Sequence, residues 1–136
     1  MFKTILIPLA LDHAELFPKQ VEVARRLLAP GGRMLAASVI EDIPTFAAEY
    51  MIVRLDPQEV RREMKRAVAS ALKPYPEIES AILTGKPGVV LADHAASLDA
   101  DLIVTCASRP GSDGYALGST ASRLTRRASC SVVVVR

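Results

Sequence analysis

The sequence predicts an α/β fold, a three-layer sandwich in which a five-stranded parallel sheet of order 3-2-1-4-5 is covered by helices on both faces. Three observations carry that expectation. Short aliphatic and β-branched runs alternate along the chain with amphipathic stretches of helical period, in the order βαβαβαβαβ. The runs are apolar at successive positions, as in strands buried on both sides. The segments between them are long enough for right-handed helical crossovers, and no internal repeat or linker-like stretch divides the chain, so residues 1–136 read as one domain.

Phe2 to Leu9 is the first strand, with Pro8, which has no N–H, marking the end of ladder pairing. From Ala14 to Leu28 the apolar positions Leu16, Val21, Ala24, Leu27 and Leu28 recur at helical spacing, and Pro30-Gly31-Gly32 stops the helix. Arg33 to Ile40 is the second strand. The longer connection from Glu41 to Asp56 carries Pro44, Phe46, Tyr50 and Met51, residues expected to pack over something. Asp56 caps a helix whose first residue is Pro57, where a missing N–H does no harm. That helix runs to about Lys73 with Val60, Met64, Ala67, Val68, Ala71 and Leu72 inward, and Pro74 and Pro76 end it. Ile78 to Thr84 is the third strand, and Gly85-Lys86-Pro87-Gly88 turns into a helix reaching about Leu98 with Val90, Leu91, Ala95 and Leu98 apolar. Asp101 to Cys106 forms the fourth strand and Ala107 to Leu117 a small, polar loop. Gly118-Ser119-Thr120 opens a short helix with Ala121, Leu124 and Ala128 inward, and Ser131 to Val135 is the last strand.

Composition excludes several function classes. Hydrophobic residues make up 50% of the chain, but no apolar run reaches the roughly 18 residues of a membrane span. Met1-Phe2-Lys3 leads into a strand instead of a signal peptide, so a cytoplasmic protein is expected. Seventeen basic and 15 acidic residues, a net charge of +2 and 4% aromatics argue against nucleic acid as a partner. Cys106 and Cys130 fall at opposite ends of neighbouring strands, beyond disulfide reach. His13 and His94 are far apart, no metal-ligand spacing surrounds either, and Asp12 and His13, as sequence neighbours, are expected to face different directions. His94 reads as a helix residue at or near the surface, and Gly85-Lys86-Pro87-Gly88 lacks the spacing of a phosphate-binding Walker loop.

In an open parallel sheet a ligand sits beyond the carboxyl ends of the strands, where the strand order reverses. With the order 3-2-1-4-5 this point lies between the first and fourth strands and brings Pro8, Leu9 and Ala10 opposite Ala107, Ser108 and Arg109. Gly118-Ser119-Thr120 stands beside them. Backbone N–H groups in the first turn of a helix lack partners and carry the positive end of its dipole, so this start is an anion cradle whose simplest tenant is a phosphate. Arg109 suits the clamp, since a guanidinium binds phosphate oxygens bidentately.

Thr4-Ile5-Leu6-Ile7-Pro8-Leu9, the stretch from Gly85 to Val104 and the ending from Gly118 to Arg136 together resemble the universal stress protein family across essentially the whole chain. The specific part is the C-terminal half: a Gly-x-Pro turn, an Ala-Asp-Leu-Ile-Val strand, a Gly-Ser helix start and a Cys-x-Val-x-Val-Val-Arg end. Ser108-Arg109-Pro110 and Tyr115-Ala116-Leu117-Gly118-Ser119 match its single-domain members best. The resemblance implies a Rossmann-like, flavodoxin-like fold that binds ATP; Mg²⁺ can ride on such a nucleotide, since it needs few protein ligands. The resemblance places Pro8 to Ala10, Ala107, Ser108 and Arg109 around the nucleotide, Gly118, Ser119 and Thr120 on its phosphates, and the backbone of Val39 against adenine.

The chain departs from the family's Gly-x2-Gly-x9-Gly-[Ser/Thr] loop in being two residues shorter between Ala107 and Gly118 and in having alanine for the first glycine. Gly111-Ser112-Asp113-Gly114 is out of register with that pattern, and Ala10 stands where nucleotide binders carry an aspartate, with Asp12 two residues on.

The last strand is apolar on both faces and falls at a sheet edge, a hazard that pairing with a second copy removes. The resemblance implies the same, because the family commonly forms a homodimer through that strand, here residues 131–135. The expected role is sensing or signalling, with at most slow ATP hydrolysis or autophosphorylation on Ser119 or Thr120. The alternative is a dimeric interaction module of the same fold that binds no nucleotide. A flavin carrier would share the crevice, but no aromatic is well placed to sandwich a flavin, Tyr115 being the only candidate on the loop.

Overall fold

The structure, a computed structural model, describes residues 1–41, 56–107 and 117–136. Its parallel sheet contains β1 (Phe2–Pro8), β2 (Leu28–Ile40), β3 (Ile78–Thr84), β4 (Leu102–Cys106) and β5 (Ser131–Val135) in the order β3-β2-β1-β4-β5. The helices are α1 (Phe17–Leu27), α2 (Pro57–Leu72), α3 (Pro87–Ser97) and α4 (Ser119–Arg127).

Successive strand residues supply opposite cores, as the expected burial on both faces requires. Ile5 and Ile7 pack with Phe17, Val21 and Ala24 of α1 and Val68 and Leu72 of α2. Leu6 packs on the other side with Leu91, Ala92 and Ala95 of α3 and Leu124 of α4. These are the three layers of the flavodoxin-like, doubly wound arrangement. The helix that follows β1 and the helix that follows β4 therefore lie on opposite faces of the sheet.

Four local features differ from the sequence expectation. The first helix begins at Phe17 and not at Ala14, after a 3-10 stretch over Leu11–Leu16. Pro18 explains the shift: it is tolerated in a first turn, whereas a helix from Ala14 would place it inside, where its missing N–H breaks a hydrogen bond. Second, Pro30-Gly31-Gly32 lies within β2 as an irregularity, with the register jumping from Phe2 opposite Leu28 to Thr4 opposite Arg33. Gly31 has φ 78°, and a Cβ on Gly32 would come within 2.9 Å of the Lys3 carbonyl oxygen, so the two glycines let β2 bend against β1.

Third, Ala67 is exposed, and α2 buries only its C-terminal half, through Val68 and Leu72. Fourth, His94 is half-buried, its Nε2 shielded from solvent without a hydrogen-bond partner among the described residues. The remaining boundaries follow the expectation closely: Asp56 accepts a hydrogen bond from the Gln58 amide at 3.0 Å ahead of Pro57, and Ile78–Thr84 is β3. Pro44, Phe46, Tyr50 and Met51 lie outside the described residues.

Candidate functional site

The site begins where β1 and β4 stop pairing. Their ladder holds Ile5 opposite Leu102 and Leu6 opposite Ile103. Beyond these pairs β1 continues beside β2 as far as Pro8, while β4 continues beside β5 as far as Cys106. A fork of this kind leaves backbone carbonyls without ladder partners, and a buried carbonyl needs a donor. Gln20 of α1, 2% exposed, supplies it: its Nε2 donates to the carbonyl oxygens of Pro8 and Val104, at 3.0 Å each. On the β2 side the Leu9 amide donates to the Ala37 carbonyl at 2.8 Å, and the buried Ser38 hydroxyl donates to the Leu9 carbonyl at 2.7 Å. The end of β1 is thus tied on both flanks.

Above the fork lies a crevice of about 550 Å³. The start of α4 forms part of its lining, through Gly118, Ser119 and Thr120. Gly118 has φ 85° and ψ 154°, a conformation open in practice only to glycine, and the helix then begins with the Ser122 amide donating to the Gly118 carbonyl at 3.0 Å. Gly118 offers no side chain to cap the turn, and Ser119, Thr120 and Ala121 include no acid, so the first-turn N–H groups and the dipole are left for an anion. Among the described residues the lining contains no lysine or arginine, so the helix end is its source of positive potential.

The cradle is seated on α3. A Cβ built on buried Gly88 would come within 2.6 Å of the Arg123 Cβ, so the missing side chain is what lets α4 approach. Arg127 and Asp93 pair across the same contact at 3.2 Å. Pro87 and Leu91 of α3 and Met64 of α2 give the crevice apolar wall.

The mouth is acidic and carries a thiol. Asp12, His13 and Glu41 line it. Contrary to the expectation that they diverge, Asp12 and His13 meet, with His13 Nδ1 2.9 Å from Asp12 Oδ1. The cause is a kink at His13, φ −151° and ψ 63°, inside the 3-10 stretch. Cys106 faces the crevice, and burial, with the Asp12 charge adding to it, pushes its pKa up. A thiol so placed stays protonated at neutral pH and is a poor nucleophile. Cys130 stands at the other end of β5, and both cysteines are free.

Of the residues singled out from sequence, Pro8, Leu9, Ala10, Val39, Ala107, Gly118, Ser119 and Thr120 all line this one crevice. Ser108 and Arg109 lie outside the described residues, as do the segment 111–114 and Tyr115. Sequence reasoning missed Gln20, Ser38, the Asp12–His13 contact and the place of Cys106 on the wall. For Gln20 a signal was present: it is a polar residue on the stripe formed by Phe17, Val21 and Ala24. Among the described residues no cluster of three or more His, Cys, Asp or Glu side chains is arranged to hold a metal ion.

Comparison with known proteins completes the picture. A family model described as the universal stress protein family matches residues 1–136. A Thermus aquaticus protein described as the universal stress protein in the QAH/OAS sulfhydrylase 3′ region is 33% identical over 139 residues, covering 100% of both chains. The solved structure of universal stress protein UspA from Lactobacillus plantarum superposes with a TM-score of 0.69 at 25% identity, covering 98% of this chain and 97% of that one. The universal stress protein from Archaeoglobus fulgidus in complex with dAMP superposes with a TM-score of 0.60 at 18% identity over 98% and 97% of the two chains.

Proposed function

Because the chain belongs to the universal stress protein family, we propose that it binds an adenine nucleotide, ATP, in the crevice between β1 and β4 and acts as a homodimeric sensor or signalling protein. The observation that carries this reading is the open start of α4 facing the strand ends across a crevice of about 550 Å³. That volume is in the range of small-molecule sites, roughly 300–1,000 Å³. The A. fulgidus protein is in complex with dAMP, which supports an adenine nucleotide as the ligand class.

In this reading the first-turn N–H groups and the hydroxyls of Ser119 and Thr120 hold phosphate oxygens, and Val39 at the end of β2 offers its backbone to the adenine edge. Met64, Pro87 and Leu91 exclude water beside the base. Asp12 takes over from the carboxylate that Ala10 lacks, since it too borders the crevice. Mg²⁺ carried by the nucleotide would neutralise phosphate charge and would need few protein ligands. No step of chemistry is required for sensing: binding alone can bias a partner-facing state.

The second half of the proposal rests on β5. It is an edge strand of the sheet, and Val132, Val133 and Val134 are only half-buried. A second copy pairing along it would cover that surface.

Calorimetric titration of the nucleotide-free protein with Mg·ATP tests the reading. Saturable binding in the micromolar range supports it. No heat at millimolar ATP, with the protein still dimeric, overturns the nucleotide half and leaves a dimeric interaction module of the same fold.

A further inference from the structure

At the centre of the fork sits a buried side chain that the proposed ligand contacts do not use. Gln20 is 2% exposed, lies on the apolar stripe of α1 and spends its amide on two strand-end carbonyls, Pro8 from β1 and Val104 from β4. Two carbonyl acceptors require both amide hydrogens, so a side chain without them leaves each oxygen without its donor. Pro8 and its neighbour Leu9 line the crevice, as do Thr105 and Cys106, the residues that follow Val104. One amide therefore sets the relative position of the two walls.

We propose that Gln20 is the positioning residue of the crevice, a two-armed clamp that holds the carboxyl ends of β1 and β4 at the separation ligand binding needs. The clamp is a property of the fork itself, while its consequence for affinity rests on the nucleotide reading above. Neither β1 nor β4 can close the gap alone, because their mutual ladder ends at Leu6 and Ile103. A leucine or methionine at position 20 would satisfy the apolar stripe but not the carbonyls, so packing does not explain the residue.

The test combines a ligand-free readout with a ligand readout. Gln20 and Gln58 are the only primary amides, since the chain has no asparagine, so their side-chain NH₂ resonances are assignable by elimination. In the wild type the Gln20 amide should exchange with solvent at least about tenfold more slowly than that of exposed Gln58. Equal exchange rates would overturn the proposal.

Gln20→Met is then compared with Val21→Ala, a core truncation on the same helix that leaves the Pro8 and Val104 carbonyls with their donor. Cys106 labelling by N-ethylmaleimide should accelerate on the order of tenfold in Gln20→Met, with Cys130 as the internal reference unchanged, and the Kd for Mg·ATP should weaken on the order of tenfold. Val21→Ala should lower the melting temperature without moving either quantity. A folded Gln20→Met with wild-type Cys106 labelling refutes the clamp. A wild type that binds no ATP refutes the nucleotide reading only, because the exchange and labelling results still decide the role of Gln20. Should Gln20→Met not fold, the wild-type exchange measurement decides.

Discussion

Replacing Ser119 with aspartate should make the protein more stable and a weaker nucleotide binder, two effects of opposite sign from one charge. Ser119 is the exposed first residue of α4, in a turn with no acid and no side-chain cap. A carboxylate there meets the positive end of the helix dipole, a gain of about 0.3–1 kcal/mol at low ionic strength. For a domain of this size that raises the melting temperature by about 1–4 °C. The same carboxylate occupies the cradle. Two unit charges about 4 Å apart at an effective dielectric of 20 repel by about 4 kcal/mol, and exposure of the site reduces this to about 2 kcal/mol, or roughly thirtyfold in Kd. Ser119→Ala separates charge from hydroxyl, because it removes one neutral hydrogen bond, worth about 1 kcal/mol, and adds no repulsion. Thermal unfolding without ligand and calorimetry with Mg·ATP read both effects. Unchanged affinity in Ser119→Asp would place the phosphates elsewhere, and a lowered melting temperature would refute the open helix start itself.

Gly88→Ala should destabilise by about 1–3 kcal/mol and weaken ATP binding, because the new methyl meets the Arg123 Cβ and forces α4 off α3, and with it the cradle. Thermal unfolding and titration check both, and a neutral result would mean that the helices do not pack this closely. Asp101→Ala addresses the opposite end of the sheet, where the carboxylate accepts from the Lys3 and Thr4 amides at 2.9 and 3.0 Å. Burial pushes the Asp101 pKa up, but these hydrogen bonds outweigh it and hold the carboxyl below its usual range. Its contribution, about 0.5–1 kcal/mol at this partly exposed site, should therefore be complete above about pH 4 and be lost as pH falls through the depressed folded value. Denaturant unfolding of wild type and variant should converge in acid, and a gap independent of pH would contradict the assignment. Val134→Lys, on β5 but outside both core clusters, should yield a monomer by light scattering with stability changed by less than about 1 kcal/mol. A dimer that survives it would move the interface elsewhere.

Much of the fold was legible because its signals are local. The apolar runs, the Asp56-Pro57 cap and the Gly118 helix start each occupy a few consecutive residues, and each appears where the residue types place it. The errors came where two local rules compete. Helical periodicity extends back to Ala14, but Pro18 forbids it, and only the observed 3-10 stretch shows how the chain resolves the conflict. Pro30-Gly31-Gly32 reads as a stop, and becomes a bend inside β2 because Gly31 takes a positive φ and the Lys3 carbonyl of the neighbouring strand lies too close to Gly32 for a Cβ. Ala67 fits the apolar face of its helix by spacing but is exposed, since α2 buries a narrow stripe centred on Val68 and Leu72 and Ala67 falls at its rim.

By itself the sequence determined the alternation of strands and helices and the Gly118 start of the last helix, which follow from backbone rules acting within a turn or a strand, and the family, which follows from its motifs. Tertiary structure alone decided that Gln20 bridges Pro8 to Val104, that Asp12 and His13 meet at the mouth, that Cys106 faces the crevice and that Gly88 seats α4. Each of these joins groups whose approach depends on how the sheet forks and how the helices stack, and no periodicity in the chain encodes that distance.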